Sequence, residues 1–382
     1  MKEKNNLRLI ISTIGTSLLT NQINRQTENN WYGKLRDTAN LTLKETPDEV
    51  KEILTALETR AASIINQASV TEIRRASAEL NGIYGIYQDK INRGKQDIHW
   101  LIATDTAQGI TTANIVKNLL RSQGIINVNT FIPEKLSTAS SETFEKGIVQ
   151  LIKWMGETIP GYQNQYKICF NLVGSFKSLQ GYLNTIGMFY ADEIIYIFEG
   201  QKSEIITIPR LPITVNASEI EQYKTPLAMM DQGEIPVGEQ VLTDIPENYI
   251  FSDGEEVILS TWGQLLWNQC KEEILAGELL KFPRIKYQRS FLDDYKNIRQ
   301  NHEKIKLQEA LAKVAQLLAL SQGNIAPLKA DGGIQYNRYI NTNNIDHFRV
   351  DLSQRVSCDV VKKELNLRYY GSHDYVQGKE GV

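Results

Sequence analysis

A chain of 382 residues, 41% of them hydrophobic, has the length for two or three domains, each able to bury its own core; its formal charge of −3 excludes a globally basic nucleic-acid binder and leaves any RNA contact to a local patch. The opening MKEKNN is followed by no apolar segment of signal-peptide type, and no apolar run reaches the length of a membrane span, so a cytoplasmic protein with no membrane partner is expected. Cys169, Cys270 and Cys358 are far apart, odd in number and without metal-ligand spacing; Cys169 and Cys358 lie in apolar strand patterns, where a buried thiol is ordinary.

In chain order, residues 7–12 form an apolar run that ends in Thr13-Ile14-Gly15-Thr16-Ser17, a strand end rich in hydroxyls that can meet phosphate or ribose oxygens. Residues 21–97 make a long excursion, mostly helical. Thr46-Pro47-Asp48-Glu49 predicts a helix start with a hydroxyl cap, followed by apolar residues at Val50, Ile53, Leu54 and Leu57; a second helix from Thr71 carries Ile73, Ala76, Leu80 and Ile83. The excursion reads as a helical hairpin. Its Asp48-Glu49-Val50-Lys51 resembles a metal-nuclease pattern only superficially, because acids at a helix start are explained by the helix dipole.

Residues 98–103 lead into Thr104-Asp105-Thr106-Ala107-Gln108-Gly109 and a helix over 110–121. A further apolar run, 166–171, turns through Gly174-Ser175-Phe176 into a helix pattern that begins with Lys177 and Ser178. Unpaired N–H groups at a helix start, a glycine that permits close approach and a lysine together make an anion cradle, although a Gly-Ser pair after a strand also serves simply to turn the chain. A strand at 193–198, Gly200 and a short strand at 204–208 complete a sheet pattern in which Thr, Ser, Gly, Asp and Lys gather at parallel strand ends.

Pro209-Arg210-Leu211-Pro212 marks a boundary. Acids dominate residues 216–256, Asp253 among them, answered only by Lys224 and interrupted by Pro226, Pro236 and Pro246; this reads as a solvated connector, with a docking surface for a basic protein as the sharper alternative. Residues 257–280 read as a helix containing Trp262, Leu265 and Trp267. Beyond it lie a short strand at 285–287, helices over 290–302 and 305–320, and a Gly332-Gly333 turn. Segments 335–340, 345–352, 355–361 and 365–370 then alternate apolar and polar residues, as in an antiparallel sheet with one wet face.

Period two places His347, Arg349 and Asp351 opposite Phe348, Val350 and Leu352. Arg355 and Arg368 join the polar face if the registers agree, and the turn over 370–375 adds His373 and Tyr375. Imidazoles beside arginines can move protons near neutral pH while the arginines hold phosphate. His302, in a helix beside Asn301 and Glu303, reads as surface.

ISTIGTS, ATDTAQG and FNLVGSFKS, with the helix and strand that follow, resemble the CRISPR-associated Rossmann-fold (CARF) sensor domains over roughly residues 5–210. The resemblance implies a homodimeric receptor for cyclic oligoadenylate, an anionic ring whose symmetry suits a two-fold dimer. Carried onto this chain it implies ligand binding by Thr13, Gly15, Thr16, Ser17, Asp105, Thr106, Gly174, Ser175, Phe176, Lys177 and Ser178. Ring cleavage, with Thr13, Thr16, Ser17 and Lys177 holding the ring's 2'-hydroxyls for in-line attack, is a further implication.

The order strand, helix, helix, four-stranded meander, with HFRVD, QRVS and LRYYGSHDY, resembles the RelE superfamily of toxin ribonucleases over roughly residues 284–376. That likeness implies cleavage of mRNA on the ribosome by 2'-hydroxyl attack, without metal. It implies that Arg355 stabilises the charged transition state, that Arg349 and Arg368 add positive charge, that His347 and His373 transfer protons and that Tyr375 orients or stacks on a base.

The expected architecture is therefore an α/β Rossmann-like parallel sheet with a helical insertion (1–210), an acidic connector and helical linker (211–282), and a C-terminal α+β RelE-like domain with an antiparallel sheet (283–382). The expected function is a type III CRISPR ancillary effector that needs no cofactor, is activated by cyclic oligoadenylate, cyclic tetra-adenylate foremost, and cuts ribosome-bound mRNA. Segment 216–256 is a candidate dock for a ribosomal protein. The alternative is an oligoadenylate-binding regulator or ring nuclease whose C-terminal part binds RNA or protein without cutting. Helical CARF-linked nucleases carry an R-x4-6-H signature whose spacing Arg299–His302 and Arg338–His347 lack, and a regulator would call for a helix-turn-helix where strands stand here.

Overall fold

The computed structural model describes residues 7–198, 204–252, 254–340, 342 and 344–382; MKEKNN, Gly200 and Asp253 lie outside the described residues. The chain forms two compact units, Met1–Thr214 and Val215–Val382.

In the first, β1 (Arg8–Thr13), β2 (Ile98–Ile102), β3 (Val128–Phe131), β4 (Lys167–Asn171), β5 (Glu193–Ile197) and β6 (Ile205–Pro209) build a sheet of order β3-β2-β1-β4-β5-β6. All pairs are parallel except β5 with β6. Leu9, Ile10, Ile11, Ile168 and Phe170 are buried, as the near-continuous apolar runs of a sheet covered on both faces require. The strand order reverses between β1 and β4, where Ser12 pairs with Asn171, so a crevice opens beyond their carboxyl ends.

The helices of this unit are α1 (Ser17–Thr20), α2 (Asn29–Asp37), α3 (Asp48–Gln67), α4 (Val70–Ala76), α5 (Ala78–Ile86), α6 (Ala107–Ser122), α7 (Ser141–Thr158) and α8 (Lys177–Tyr190). The excursion is helical, but it holds the four helices α2 to α5 rather than a hairpin. Thr46 does not cap α3: its hydroxyl donates to the Thr42 carbonyl at 2.7 Å, and Pro47 stands at the cap position. Asp48 and Glu49 occupy the first turn of α3 and pair with Lys51 and Lys34. The helix expected from Thr71 breaks at Ser77, which is extended (φ −145°, ψ 130°) and accepts the Leu80 N–H with its hydroxyl. Periodicity reads through this break because Ile73 and Ala76 before it, and Leu80 and Ile83 after it, are all buried.

In the second unit, the segment expected to be a solvated connector is, from Val215 on, part of the core. It forms α9 (Ala217–Ile220), α10 (Lys224–Gln232), a small sheet of β7 (Ile235–Pro236), β8 (Ile250–Ser252) and β9 (Glu256–Leu259), and α11 (Thr261–Ala276). Leu227, Met229, Ile235 and Trp267 share one apolar cluster with Leu311, Phe348 and Leu367. Glu219, Glu221, Glu234, Asp244 and Glu247 are exposed, so charge composition reported only the wet side of a folded region. The helix expected over 257–280 begins later, because 256–259 pair as β9 and Ser260 caps α11 by accepting the Gly263 N–H at 3.1 Å.

The remaining elements are β10 (Ile285–Tyr287), α12 (Arg289–Asn297), α13 (Asn301–Leu320), α14 (Ala326–Ala330), β11 (Asn337–Arg338), β12 (Asp346–Arg349), β13 (Gln354–Val361), β14 (Glu364–Ser372) and α15 (His373–Glu380). The larger sheet runs β10-β14-β13-β12-β11, with only β10 and β14 parallel. The expected strand 335–340 shrinks to two residues. That over 345–352 stops at Arg349, because the Asp351 carboxylate accepts the N–H groups of Ser353 and Gln354 and closes a turn. Residues 373–380, within and beyond the expected turn, are the helix α15, capped by Ser372. The buried Ile298 separates α12 from α13, splitting the helix expected over 290–302.

Candidate functional site

Each unit presents one candidate. Beyond the ends of β1 and β4 lies a cavity of about 380 Å³, lined by Ile14, Gly15, Thr16 and Ser17 from one strand end, by Val173, Gly174, Ser175 and Phe176 from the other, and by Thr104 and Thr106 after β2. Asn40, Ala78, Glu79 and Thr138 contribute further lining. Of the expected ligand residues, Thr13 is not in the wall; its buried hydroxyl donates to the Gly174 carbonyl at 2.7 Å and ties the two strand ends together. Asp105 accepts the Lys135 N–H at 3.0 Å, and Lys177 and Ser178 are exposed at the start of α8, all three outside the lining. The anion cradle read from the sequence therefore lacks its cation at the wall.

An acid takes that place. Glu79, fully buried, accepts the Gly15 N–H at 2.6 Å through Oε1, and the Ser77 and Ser17 hydroxyls at 2.6 and 3.2 Å through Oε2. A Cβ on Gly174 would overlap the Glu79 side chain, and one on Gly15 would lie 2.8 Å from the Ser175 nitrogen, so close approach is what requires both glycines. Ser175 adopts φ 92°, a strained value for a non-glycine residue, and its buried hydroxyl has no hydrogen-bond partner among the described residues. The sequence signal for Glu79 is an acid two residues after a capping serine on a helix, α5, whose other eight residues carry no charge and which lacks an exposed face.

In the second unit the register sets Arg349 opposite Arg355 and His347 opposite Ser357, so these four residues share the face that period two predicts. Arg349 and Arg355 form no ion pair among the described residues; Arg355 donates instead to the carbonyls of Asp351 and Gln354, each at 2.9 Å. Two like charges paired across strands with no ion-pair partner among the described residues invite an anion. Burial, and next the Arg349 charge, hold the Arg355 guanidinium below its ordinary range. Arg349 also faces a second hollow of about 380 Å³ shared with Lys306, Lys313, Asp331 and Asp351.

His347 is half-buried and stacks on Tyr339, a partner that sequence reasoning missed because it lies on the irregular stretch beside the short β11. Burial first, then the charges of Arg355 and His373, lower the His347 pKa and favour the neutral imidazole; its Nδ1 is buried without a partner among the described residues. His373, exposed, opens α15 and lies 3.3 Å from Asp374. The Tyr375 phenol donates to Asp294 Oδ1 at 2.7 Å, with the Lys379 ammonium 5.5 Å over its ring, so it is tethered to α12 rather than free at the face.

Arg368 differs from the expectation most. A bulge between Ser357 and Cys358 brings it beside Ser357, but its guanidinium donates to Glu380 (Nε to Oε1 2.9 Å, Nη2 to Oε2 3.0 Å) and Asp359 neutralises it further at 3.4 Å. Ser357 also donates to Glu380 at 2.6 Å. Glu380 sits at the end of α15, which the sequence pattern leaves as tail, so neither the helix nor the counter-ion was legible. His302 is exposed on α13, as expected.

Among the described residues no group of three or more His, Cys, Asp or Glu side chains is placed to hold a metal ion, and no helix is long and apolar enough to cross a membrane. The stretch of chain that matches a known family supplies part of the cavity wall, while the β1 strand end, Thr20, Ala39 and Asn40 lie outside it. Residues 74–211, which carry Glu79, the β2 and β4 strand ends and the Gly174-Ser175-Phe176 turn, match the family described as CRISPR-associated protein (Cas_APE2256), and the match indicates a CRISPR-associated protein family.

Proposed function

We propose that the chain is a type III CRISPR ancillary effector: the first unit binds cyclic oligoadenylate, cyclic tetra-adenylate foremost, as a homodimer, and the second is an endoribonuclease of RelE type that cuts mRNA on the ribosome. The observation that carries the catalytic part is His347, half-buried and stacked on Tyr339, on one sheet face with Arg349 and Arg355, which have no carboxylate partner among the described residues. In this reading His347 takes the proton of the RNA 2'-hydroxyl, which attacks the adjacent phosphorus. Arg355, aided by Arg349, stabilises the charge on the phosphorane, and His373 gives a proton to the departing 5'-oxygen; the products are a 2',3'-cyclic phosphate and a 5'-hydroxyl. Arg368 has a structural role through Glu380, and Tyr375, its hydroxyl committed to Asp294, has only its ring left to offer an RNA base.

For the sensor, the cavity between the β1 and β4 ends is the ligand site, at the place where open α/β sheets bind ligands. Thr13 is committed to Gly174 and Lys177 lies outside the wall, so ligand binding rather than ring cleavage is the role proposed for this unit. The deciding experiment incubates the protein with translating ribosomes and with naked RNA, each with and without cyclic tetra-adenylate. Cleavage confined to ribosome-bound message in the presence of ligand supports the whole reading; cleavage that ignores the ligand removes the sensor part, and no cleavage under any condition removes the nuclease.

A further inference from the structure

The cavity at the β1–β4 crevice is polar without being cationic. Thr16, Ser17, Thr20, Thr104, Thr106, Thr138, Ser175 and Asn40 give it hydroxyl and amide groups, while Ile14, Ala39, Ala78, Val173 and the ring of Phe176 give it apolar surface. The Phe176 ring is braced edge-on by Phe144, centroids 5.9 Å apart. Among the described residues no lysine, arginine or histidine lines the cavity, and the one acidic side chain there is Glu79.

A carboxylate in that position changes what the site selects. Backbone N–H groups at the carboxyl end of a central strand are the usual partners of a phosphate. Here the Gly15 N–H and the Ser17 hydroxyl are turned to Glu79 at 2.6 and 3.2 Å, so the chain supplies its own anion where a ligand phosphate would otherwise sit. Glu79 is fully buried and held by Ser77 from its own helix as well, and it has no ion pair among the described residues. Its field therefore reaches the cavity without a neighbouring cation to cancel it, across a medium less polarisable than water. A phosphate entering the crevice meets repulsion and finds the nearest donors taken. A nucleoside does not: an adenine ring offers an amine and a flat face, the ribose offers hydroxyl donors, and Ser175 presents a buried hydroxyl that lacks a partner among the described residues.

We infer that this cavity is a nucleoside subsite and that Glu79 is the specificity-determining residue that keeps phosphate out of it. The base and sugar of one nucleotide enter, and the phosphates stay at the outer side, where Lys177 is exposed next to the wall residue Phe176. The inference rests on the proposed reading of the first unit as a nucleotide receptor and specifies which part of the nucleotide that unit holds.

The test uses the full chain and calorimetric titration with adenosine, adenosine 5'-monophosphate and cyclic tetra-adenylate, for the wild type and for Glu79→Gln. In the wild type adenosine binds more tightly than adenosine 5'-monophosphate. In Glu79→Gln, which keeps the shape and removes the charge, the monophosphate gains roughly tenfold while adenosine shifts by less than about threefold. The wild-type comparison stands even if the variant does not fold. A monophosphate that binds the wild type as tightly as adenosine or tighter overturns the inference, as does adenosine that fails to bind at millimolar concentration. Failure of cyclic tetra-adenylate alone, with adenosine still preferred over its monophosphate, removes the cyclic-ligand reading and leaves the nucleoside subsite standing.

Discussion

The imidazole of His347 lies flat against the phenol of Tyr339, ring centroids 4.0 Å apart and planes 15° from parallel. The stack closes one side of the ring to water, and desolvation is the largest cause that favours neutral His347.

Replacing Tyr339 by Ala should therefore raise the His347 pKa towards its ordinary value and cost about 1 kcal/mol of stability beyond the lost area. Tyr339→Phe should do neither, because the Tyr339 hydroxyl is buried without a partner among the described residues. Histidine proton chemical shifts followed against pH, with urea denaturation of both variants, check this pair of outcomes. An unmoved His347 titration in Tyr339→Ala would show that the stack does not set its charge state.

Arg355→Ala should abolish cleavage, by roughly a hundredfold or more if the guanidinium meets the phosphorane. The same change removes a positive charge that opposes protonation of His347, so the His347 pKa should rise as cleavage falls. Full RNA cleavage by this variant would remove Arg355 from the reaction, whereas ligand binding by the first unit should be untouched.

If neutral His347 is the base, activity in the wild type should hold as pH falls to the ordinary histidine value of 6.5 and be lost only below it, because its folded-state pKa is depressed. The acid limb of the rate profile should move to higher pH in Tyr339→Ala. A limb at or above 6.5 in the wild type would assign the proton acceptor elsewhere.

Arg368→Ala should leave Glu380 buried without its cation and destabilise the second unit by about 3 kcal/mol. Denaturant midpoints measure this. At temperatures where the variant is folded its cleavage rate should stay within about threefold of wild type, since the ion pair with Glu380 is structural; a loss as deep as that of Arg355→Ala would return Arg368 to the reaction.

In the first unit, burial depresses His99 to about 3, and its Nε2 lies 2.9 Å from the Tyr87 hydroxyl, which donates to Asp97 at 2.9 Å. The unfolded chain binds this proton near pH 6.5 and the folded one does not, so the group's contribution is fully present above 6.5 and is lost as pH falls towards 3. Urea titrations across that range should show the decline, and His99→Gln should flatten its slope.

Period-two alternation was enough to place His347, Arg349 and Arg355 on one face, because side chains on a strand must alternate whatever the fold around them. Apolar runs ending in small polar residues likewise located β1, β2 and β4 and the lining residues Gly15 to Ser17 and Gly174 to Phe176. What the second unit buries from Val215 to Ala276 was hidden under acids that occupy its outer side, since composition averages over a helix's two faces and cannot tell them apart. Three partnerships were decided only by the tertiary structure: Glu79 with Gly15, across 64 residues; Arg368 with Glu380, through a bulge and an unforeseen helix; and Tyr339 with His347, just past the end of a strand shorter than its pattern. Local periodicity fixes which way a side chain points, but the charge that it meets there comes from a segment distant in sequence, and that second residue determines whether an arginine is available, a histidine neutral or an anion cradle already filled.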